Sequence, residues 1–312
     1  MTKYLQNKIA GSRITLPVAC LYSFVVWLAS GVIQEQWWLQ LFCFAFTAYL
    51  MAILNSKNSL IRVYSRLISV FFMVFTCCDC LLFPYIREAI SILFLVLCYL
   101  ILFSSYQDKA ATGLTFYSFA ALGVATMSNV HLLYYVPLFW LFMRYNFLSL
   151  SWRTWMASIL GLLLPYWFAA SWYLYNNELR VLLEHFLPLV TLGPIADYSS
   201  LSTGQMALLF MIVVLGIIGT FHFLHKSYLD SIRVRLLYFI FLWTDLMTAI
   251  FLILQPQHYD LLIRILMVNT APLAAHFFAL TATRITNVVF YATFVSIISL
   301  TVYHLWSTSL LF

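Results

Sequence analysis

Charged residues are scarce in this chain, at 8% of 312 residues, whereas hydrophobic residues make up 64%. A soluble protein of this length needs far more charge to cover its surface. No stretch is polar enough to build a soluble domain, so the net charge of +6 does not indicate nucleic-acid binding. Long apolar runs recur from near residue 14 onward. The composition therefore predicts a single integral membrane domain over residues 1–312, with the lipid bilayer as its surroundings.

Motifs for common cofactors and catalytic centres are also missing. The chain has no phosphate loop, dinucleotide fingerprint, G-x-S-x-G elbow or H-E-x-x-H. Its 6 cysteines fall in apolar segments, and the cluster TCCDC at residues 76–80 does not supply the two C-x-x-C pairs of a zinc site. Such cysteines behave as small hydrophobic side chains. The sequence predicts no metal and no cofactor, and it makes an enzyme the less favoured class.

What the chain does contain is a series of apolar segments long enough to cross a bilayer as helices. A period-2 pattern is absent, so these segments are not barrel strands. The fold class predicted is therefore an all-α polytopic transmembrane helix bundle of about 11 spans, within a range of 10–12. The predicted spans are 14–33, 37–54, 67–84, 86–103, 114–127, 131–143, 155–174, 206–224, 236–254, 265–283 and 285–306.

The distribution of basic residues predicts an orientation with a cytoplasmic N-terminus. If the eleven segments alternate, most lysines and arginines fall on the cytoplasmic side and three arginines fall on the opposite side. The cytoplasmic set is Lys3, Lys8, Arg13, Lys57, Arg62, Arg66, Lys109, Arg144, Arg153, Lys226, Arg233, Arg235 and Arg284, and the outer set is Arg87, Arg180 and Arg264.

Residues 114–143 are predicted to form a hairpin of two short helices. Each half covers only about 20 Å at about 1.5 Å per residue, which is less than the bilayer core. The polar turn between them holds Asn129 and His131. Short or broken helices often mark binding sites in transporters, so both residues are candidates for a substrate or proton pathway. The alternative is two ordinary spans that tilt or thin the bilayer.

The longest segment outside the predicted spans is the outward-facing loop 175–205. Its middle, LRVLLEHFLPLV, is amphipathic and suits a short helix lying along the membrane interface. Arg180 and Glu184 are four residues apart and would share one face of that helix.

Asp245 is the most informative single residue, because it lies in the middle of the predicted span 236–254. An acid inside a span costs several kcal/mol if charged and unpaired, so such residues usually face a bundle interior and carry function. His276 lies at a similar depth in the next span, and the two side chains are predicted to pair. The pair is a candidate for a proton or substrate pathway. The alternatives are a structural hydrogen bond, or a neutral Asp245 bonded to a backbone carbonyl that Pro272 leaves exposed.

Polar residues predicted on the outer side suggest a second candidate site. Arginine binds phosphate well, so Arg87, Arg180 and Arg264 are candidates to clamp a lipid-linked headgroup, with His258 or His185 as an acid or base. The alternative is local ion pairing, for example between Arg180 and Glu184. In that case QPQHYDLLIR, residues 255–264, is mainly a hairpin turn.

Four stretches together resemble an uncharacterised family of multi-span inner-membrane proteins of the Bacteroidota: GSRITLP, NSLIRVYSRLIS, SSYQDKAATG and GLLLPYWF. This resemblance covers most of the chain and implies a multi-pass protein of the bacterial inner membrane, without an assigned activity. The segment after Gly113 also resembles the membrane part of lipid-dependent glycosyltransferases. Those enzymes carry a catalytic acid in a long first outer loop, whereas the corresponding loop here is short and holds Glu35 alone.

Three functions are compatible with these patterns. The first is transport or handling of a lipid-linked or small polar substrate, and the second is an enzyme acting on a polyprenyl- or lipid-linked headgroup at the outer face. The third is a non-catalytic scaffold that binds proteins of an envelope complex. The first is favoured, and none involves nucleic acid.

Overall fold

The computed structural model describes residues 4–191, 193–199 and 201–309. Lys3, which the orientation prediction uses, lies outside these residues, as do two positions of the loop 175–205. Within the described ranges the chain is all-helical. It forms the α-helices α1 Leu5–Gly11, α2 Thr15–Ala29, α3 Trp38–Asn58, α4 Leu67–Cys77, α5 Ile86–Leu102, α6 Thr112–Ser128, α7 Val136–Tyr145, α8 Trp152–Tyr175, α9 Leu179–Glu184, α10 Thr203–Lys226, α11 Ile232–Leu254, α12 Tyr259–Leu280 and α13 Arg284–Ser309.

Seven helical segments in the described part of the chain are long and apolar enough to cross a membrane, and an eighth is possible if α1 and α2, bent by 92°, form one span. The described helices are thus those of a membrane-embedded protein. The predicted count of eleven spans and the predicted topology are not confirmed. The seven segments are Trp38–Asn58, Ile86–Ser105, Trp152–Tyr175, Thr203–Leu229, Ile232–Leu254, Pro256–Leu280 and Arg284–Ser307.

Three of the predicted spans, 67–84, 114–127 and 131–143, form helices shorter than these. α4 ends early because the Asp79 side chain accepts a hydrogen bond from the Leu81 N–H and begins a 3₁₀ turn. α6 is followed by a 3₁₀ segment, Val130–Tyr135, and α7 has only 10 residues. Short helices are the prediction for 114–143, whereas a full span is the prediction for 67–84, because hydropathy does not report where the backbone leaves the α-helix.

The described chain divides into two compact units. The first unit comprises the chain up to Ile86 and again from Tyr198, and the second comprises Arg87 to Asp197. In the first unit α12 is central, because its apolar stretch is entirely buried. α4, α10 and α11 pack around it. The α10 backbone approaches α12 closely at Gly219, where a Cβ atom would lie 2.8 Å from the carbonyl carbon of Leu273.

The second unit is built on close packing of α6 against α8. Gly161 of α8 makes this possible, because a Cβ atom there would overlap the carbonyl oxygen of Phe116. α5 joins α6 through Cys98 and Ser118, whose Sγ and Oγ atoms are 3.1 Å apart. The second unit therefore holds its helices together mainly through small and apolar residues.

Candidate functional site along the central helix

The middle of α12 contacts a carboxylate of α11. Thr270 donates a hydrogen bond from Oγ1 to Oδ1 of Asp245, at 2.8 Å. The other carboxylate oxygen faces Gly216 of α10, where a Cβ atom would lie only 2.8 Å away. Asp245, which is half-buried, is therefore held between α10 and α12, and the space beside its carboxylate exists because residue 216 has no side chain.

The C-terminal part of α12 contacts a second carboxylate. Nε2 of His276 lies 3.0 Å from Oδ2 of Asp230, and the side chains of His276 and Asp230 are 0% and 2% exposed. The other oxygen, Oδ1, lies 3.9 Å from Nη1 of Arg62. The His276 ring also packs against Tyr238 and His222, with ring centroids 4.9 and 5.3 Å apart. Asp230 thus links a buried histidine to a more exposed arginine.

The N-terminal part of α12 contacts a third carboxylate. The Tyr259 hydroxyl donates to Oδ2 of Asp79 at 3.3 Å, and Asp79 is fully buried. On the other side of this carboxylate, Nε2 of His304 lies 3.8 Å from Oδ1. Arg264, five residues further along α12, is buried and donates from Nη2 to the Leu82 carbonyl. This part of the first unit therefore concentrates ionisable groups where the α4 helix ends.

Together these contacts form a series along one helix. Tyr259, Thr270 and His276 each meet a different aspartate. At about 1.5 Å per residue, Tyr259 and His276 are separated by about 26 Å along the axis of α12, close to the thickness of a bilayer core of about 30 Å. Contacts between α12 and ionisable side chains are thus distributed over nearly the whole length of a buried helix.

The predicted pairing of Asp245 with His276 is wrong, because the structure gives each a different partner. The prediction places the span at 265–283, whereas α12 begins at Tyr259 and ends at Leu280. Thr270 and not His276 therefore lies at the middle of the helix, opposite Asp245. The two residues still belong to the same series, as separate members rather than as a pair.

In the second unit, the predicted polar turn contains its own contact with an acid. Asn129 donates from Nδ2 to Oε1 of Glu88, in the first turn of α5, at 3.1 Å. His131 is buried in the 3₁₀ segment that follows. The loop 175–205 reaches the same region, because His185 contacts the Thr126 carbonyl at 3.2 Å and the Tyr134 hydroxyl donates to the Leu189 carbonyl at 2.6 Å.

The four residues of the predicted headgroup clamp lie in different local environments. Arg180 pairs with Glu184 at 2.8 Å on α9, which confirms the alternative of local pairing for this arginine. Arg264 is buried against the break after α4, as described above. Arg87 belongs to the second unit and His258, which is half-buried, to the first. Their use as a clamp stays a prediction.

Sequence reasoning missed two of the three aspartates in the series. Asp79 lies in the cysteine-rich segment TCCDC, and Asp230 lies in a short polar connection before α11. In the sequence, both look like ordinary residues at helix ends. Their partners, Tyr259 and His276, are too distant along the chain for the sequence to indicate the contacts. One feature of the sequence could have indicated these aspartates. Several histidines and tyrosines lie within apolar segments, and such side chains need polar partners when they are buried.

The fold and this series of contacts define the class of the molecule as an all-helical membrane protein with buried ionisable groups in its helix bundle. Comparison of the chain with models of known protein families, with curated proteins and with solved structures found no match.

Proposed function

We propose that this protein is a multi-pass transporter of the bacterial inner membrane, which moves a small polar or lipid-linked substrate and uses α12 as a route for protons. The observation that carries the proposal is that three aspartates, Asp79, Asp245 and Asp230, each contact a side chain of one helix whose apolar stretch is entirely buried. Intramembrane acids that face a bundle interior mark proton relays and ion pathways in transporters.

The energetic balance favours function over simple helix association. Hydrogen bonds between membrane helices contribute only about 0.6 kcal/mol on average, and a serine or asparagine supplies them as well as an aspartate does. A charged aspartate within a span instead costs several kcal/mol. This cost applies to Asp245, the one of the three that lies within a spanning helix, whereas Asp79 and Asp230 lie next to helix ends and are buried against α12. Burying three ionisable groups against one helix is therefore a poor way to gain stability alone, and their ability to gain and lose protons is the property that distinguishes them.

The polar turn of the second unit supports a substrate pathway. The Glu88–Asn129 contact and the buried His131 lie at a break between two short helices. Interrupted helices supply binding groups in several transporter folds. Enzymatic action on an outer headgroup is less well supported, because Arg264 is turned toward a backbone carbonyl and Arg180 is paired on its own helix.

The first test compares Asp245→Asn with Asp260→Asn in a strain that lacks the protein. Asparagine still accepts the hydrogen bond from Thr270 but does not ionise, so Asp245→Asn removes the proton function and keeps the contact. We expect Asp245→Asn to lose complementation and Asp260→Asn to retain it, with membrane levels of both variants verified by immunoblot.

The second test measures protons directly in liposomes that contain the purified full-length chain and a pH-sensitive dye. A potassium gradient with valinomycin sets an interior-negative potential. We expect proton uptake above that of protein-free liposomes, and we expect Asp245→Asn to abolish it. Absence of uptake by the wild type, together with full complementation by Asp245→Asn, would contradict the proposal and favour a scaffold for an envelope complex.

A further inference from the structure

A cavity of about 390 Å³ lies in the first unit where α3 ends and α11 begins. The side chains that matter for its chemistry are Lys57, Asn58, Arg62, Asp230, Ser231 and Arg233. Its volume lies in the range of about 300–1,000 Å³ that small-molecule sites occupy. The cavity is separate from the contacts of Asp245 and Asp79, and it shares only Asp230 and its neighbour Arg62 with the series along α12.

The wall of this cavity carries three cations and one acid, so its formal charge is positive. The acid is already engaged, because both oxygens of Asp230 have a neighbour: His276 at 3.0 Å and Arg62 at 3.9 Å. Its side chain is 2% exposed, whereas that of Arg62 is 37% exposed. The negative charge therefore lies at the floor of the cavity, and the basic groups face its open side.

One of the cations is fixed in place by the protein. Nη2 of Arg233 donates to Oδ1 of Asn58 at 3.0 Å, and Nδ2 of Asn58 in turn donates to the Leu54 carbonyl at 3.0 Å. Asn58 is buried, so this chain of hydrogen bonds holds the guanidinium against the end of α3. A positioned arginine loses less side-chain entropy on binding a ligand than a mobile one.

The Arg62–Asp230 contact is looser, since 3.9 Å is beyond normal hydrogen-bond distance. A multiply charged anion in the cavity would compete with Asp230 for the guanidinium of Arg62. Planar guanidinium groups bind phosphate oxygens through two parallel hydrogen bonds, and lysine adds a point charge. A phosphate group satisfies this combination of two arginines and a lysine.

We propose that this cavity binds a phosphate-bearing anion through Lys57, Arg62 and Arg233, with Asp230 as an internal competitor for Arg62. The proposal goes beyond transport, since binding here depends neither on proton movement nor on the orientation of the chain. The same phosphate chemistry is offered by a soluble phosphate compound and by the headgroup of an anionic lipid.

The test titrates inorganic pyrophosphate into the purified full-length protein in detergent and follows thermal unfolding, with sodium chloride at equal ionic strength as the reference. We expect pyrophosphate to raise Tm specifically. Arg62→Gln should weaken apparent binding about tenfold, the loss expected for one charge-assisted contact. Lys57→Gln should act in the same direction. Arg284→Gln removes a basic residue outside the cavity and should leave binding unchanged.

Asp230→Asn gives the opposite expectation, because it removes the competitor and lets Arg62 turn to the ligand. We expect tighter pyrophosphate binding by this variant. Equal responses to pyrophosphate and chloride, or equal weakening by Arg284→Gln and Arg62→Gln, would overturn the proposal. Since Arg62 and Lys57 are exposed, their variants keep the test valid even if Asp230→Asn folds poorly.

The source of the phosphate is distinguished by repeating the titration in nanodiscs. If pyrophosphate binds equally well in phosphatidylcholine and in phosphatidylglycerol nanodiscs, the cavity takes a soluble ligand. If phosphatidylglycerol suppresses pyrophosphate binding to the wild type, a lipid headgroup occupies the cavity. Absence of pyrophosphate binding in both kinds of nanodisc and in detergent, or binding that Arg62→Gln leaves unchanged, would contradict the proposal.

Discussion

The two units of this protein place their polar groups differently. In the first unit, three aspartates contact one buried helix at successive positions along its length. In the second unit, the acids lie at or near helix ends or in loops, as with Glu88 in the first turn of α5 and Glu184 at the end of α9. The α6–α8 contact there is instead made by small residues such as Gly161. Similar apolar helices thus support a polar interior in one unit and a close-packed one in the other.

We interpret this difference as a difference in role: the polar interior of the first unit serves function, and the close helix packing of the second unit serves stability. Buried ionisable groups are costly, so they are expected where a protein moves ions or protons. Close helix contacts at glycine are a common way to join helices in a membrane, where lipid removes the hydrophobic driving force. Substitutions matched between the two units test this interpretation.

The largest effect is expected from breaking a buried polar pair in the first unit. His276→Leu leaves the Asp230 carboxylate, 2% exposed, without its histidine partner. We expect a loss of about 2–4 kcal/mol in the free energy of unfolding. Arg180→Gln breaks an ion pair of the second unit whose arginine side chain is 90% exposed, and it should change stability by less than about 1 kcal/mol.

Both values are measurable by unfolding in mixed micelles followed through tryptophan fluorescence. Equal effects of His276→Leu and Arg180→Gln would remove the contrast between a buried and an exposed pair. The Asp230–His276 contact would then contribute no more to the free energy of unfolding than the exposed pair does.

A smaller loss is expected from disturbing the glycine contact of the second unit. In Gly161→Ala the new methyl group would overlap the Phe116 carbonyl, and overpacking of this kind costs about 1–3 kcal/mol. Gly113→Ala is the matched control, since a Cβ atom at Gly113 has nothing within 4 Å. Alanine favours helices over glycine by about 1 kcal/mol, so this control should be neutral or stabilising. A Tm for Gly161→Ala at or above that of Gly113→Ala would show that α6 and α8 are not in close contact.

The smallest effect is expected where the loop 175–205 meets the polar turn. Tyr134→Phe removes the hydrogen bond to the Leu189 carbonyl, which contributes about 1 kcal/mol. We expect faster protease cleavage in the loop, with little change in overall stability. Tyr117→Phe, at an exposed tyrosine of α6, serves as the control. Cleavage at the same rate in the two variants would show that the Tyr134 contact does not hold the loop.

Several features of the fold were predictable because they depend on local sequence. The positions of α3, α8, α10 and α13 follow from uninterrupted apolar runs, and α9 follows from its amphipathic pattern. The short helices around Asn129 were also indicated by segment length. The early end of α4 was not predictable in this way, because it depends on a side-chain cap at Asp79 within an apolar stretch.

The candidate site was predicted only in part. Asp245 and His276 were recognised because ionisable residues within apolar segments are unusual. Their partners were not, because hydrogen bonding in a bundle depends on where each helix begins and which face it turns to its neighbour. A shift of six residues in the start of α12 moves its middle from near His276 toward Thr270, and that shift changes the partner of Asp245.

The amino-acid sequence by itself determined that this is a helical membrane protein with few buried charges, because hydropathy is a property of each segment alone. Only the tertiary structure decided that three aspartates distant in sequence meet one central helix. The physical reason is that burying a charged group requires a partner, and which partner is available depends on how the helices pack and on where close contacts such as Gly216 leave space.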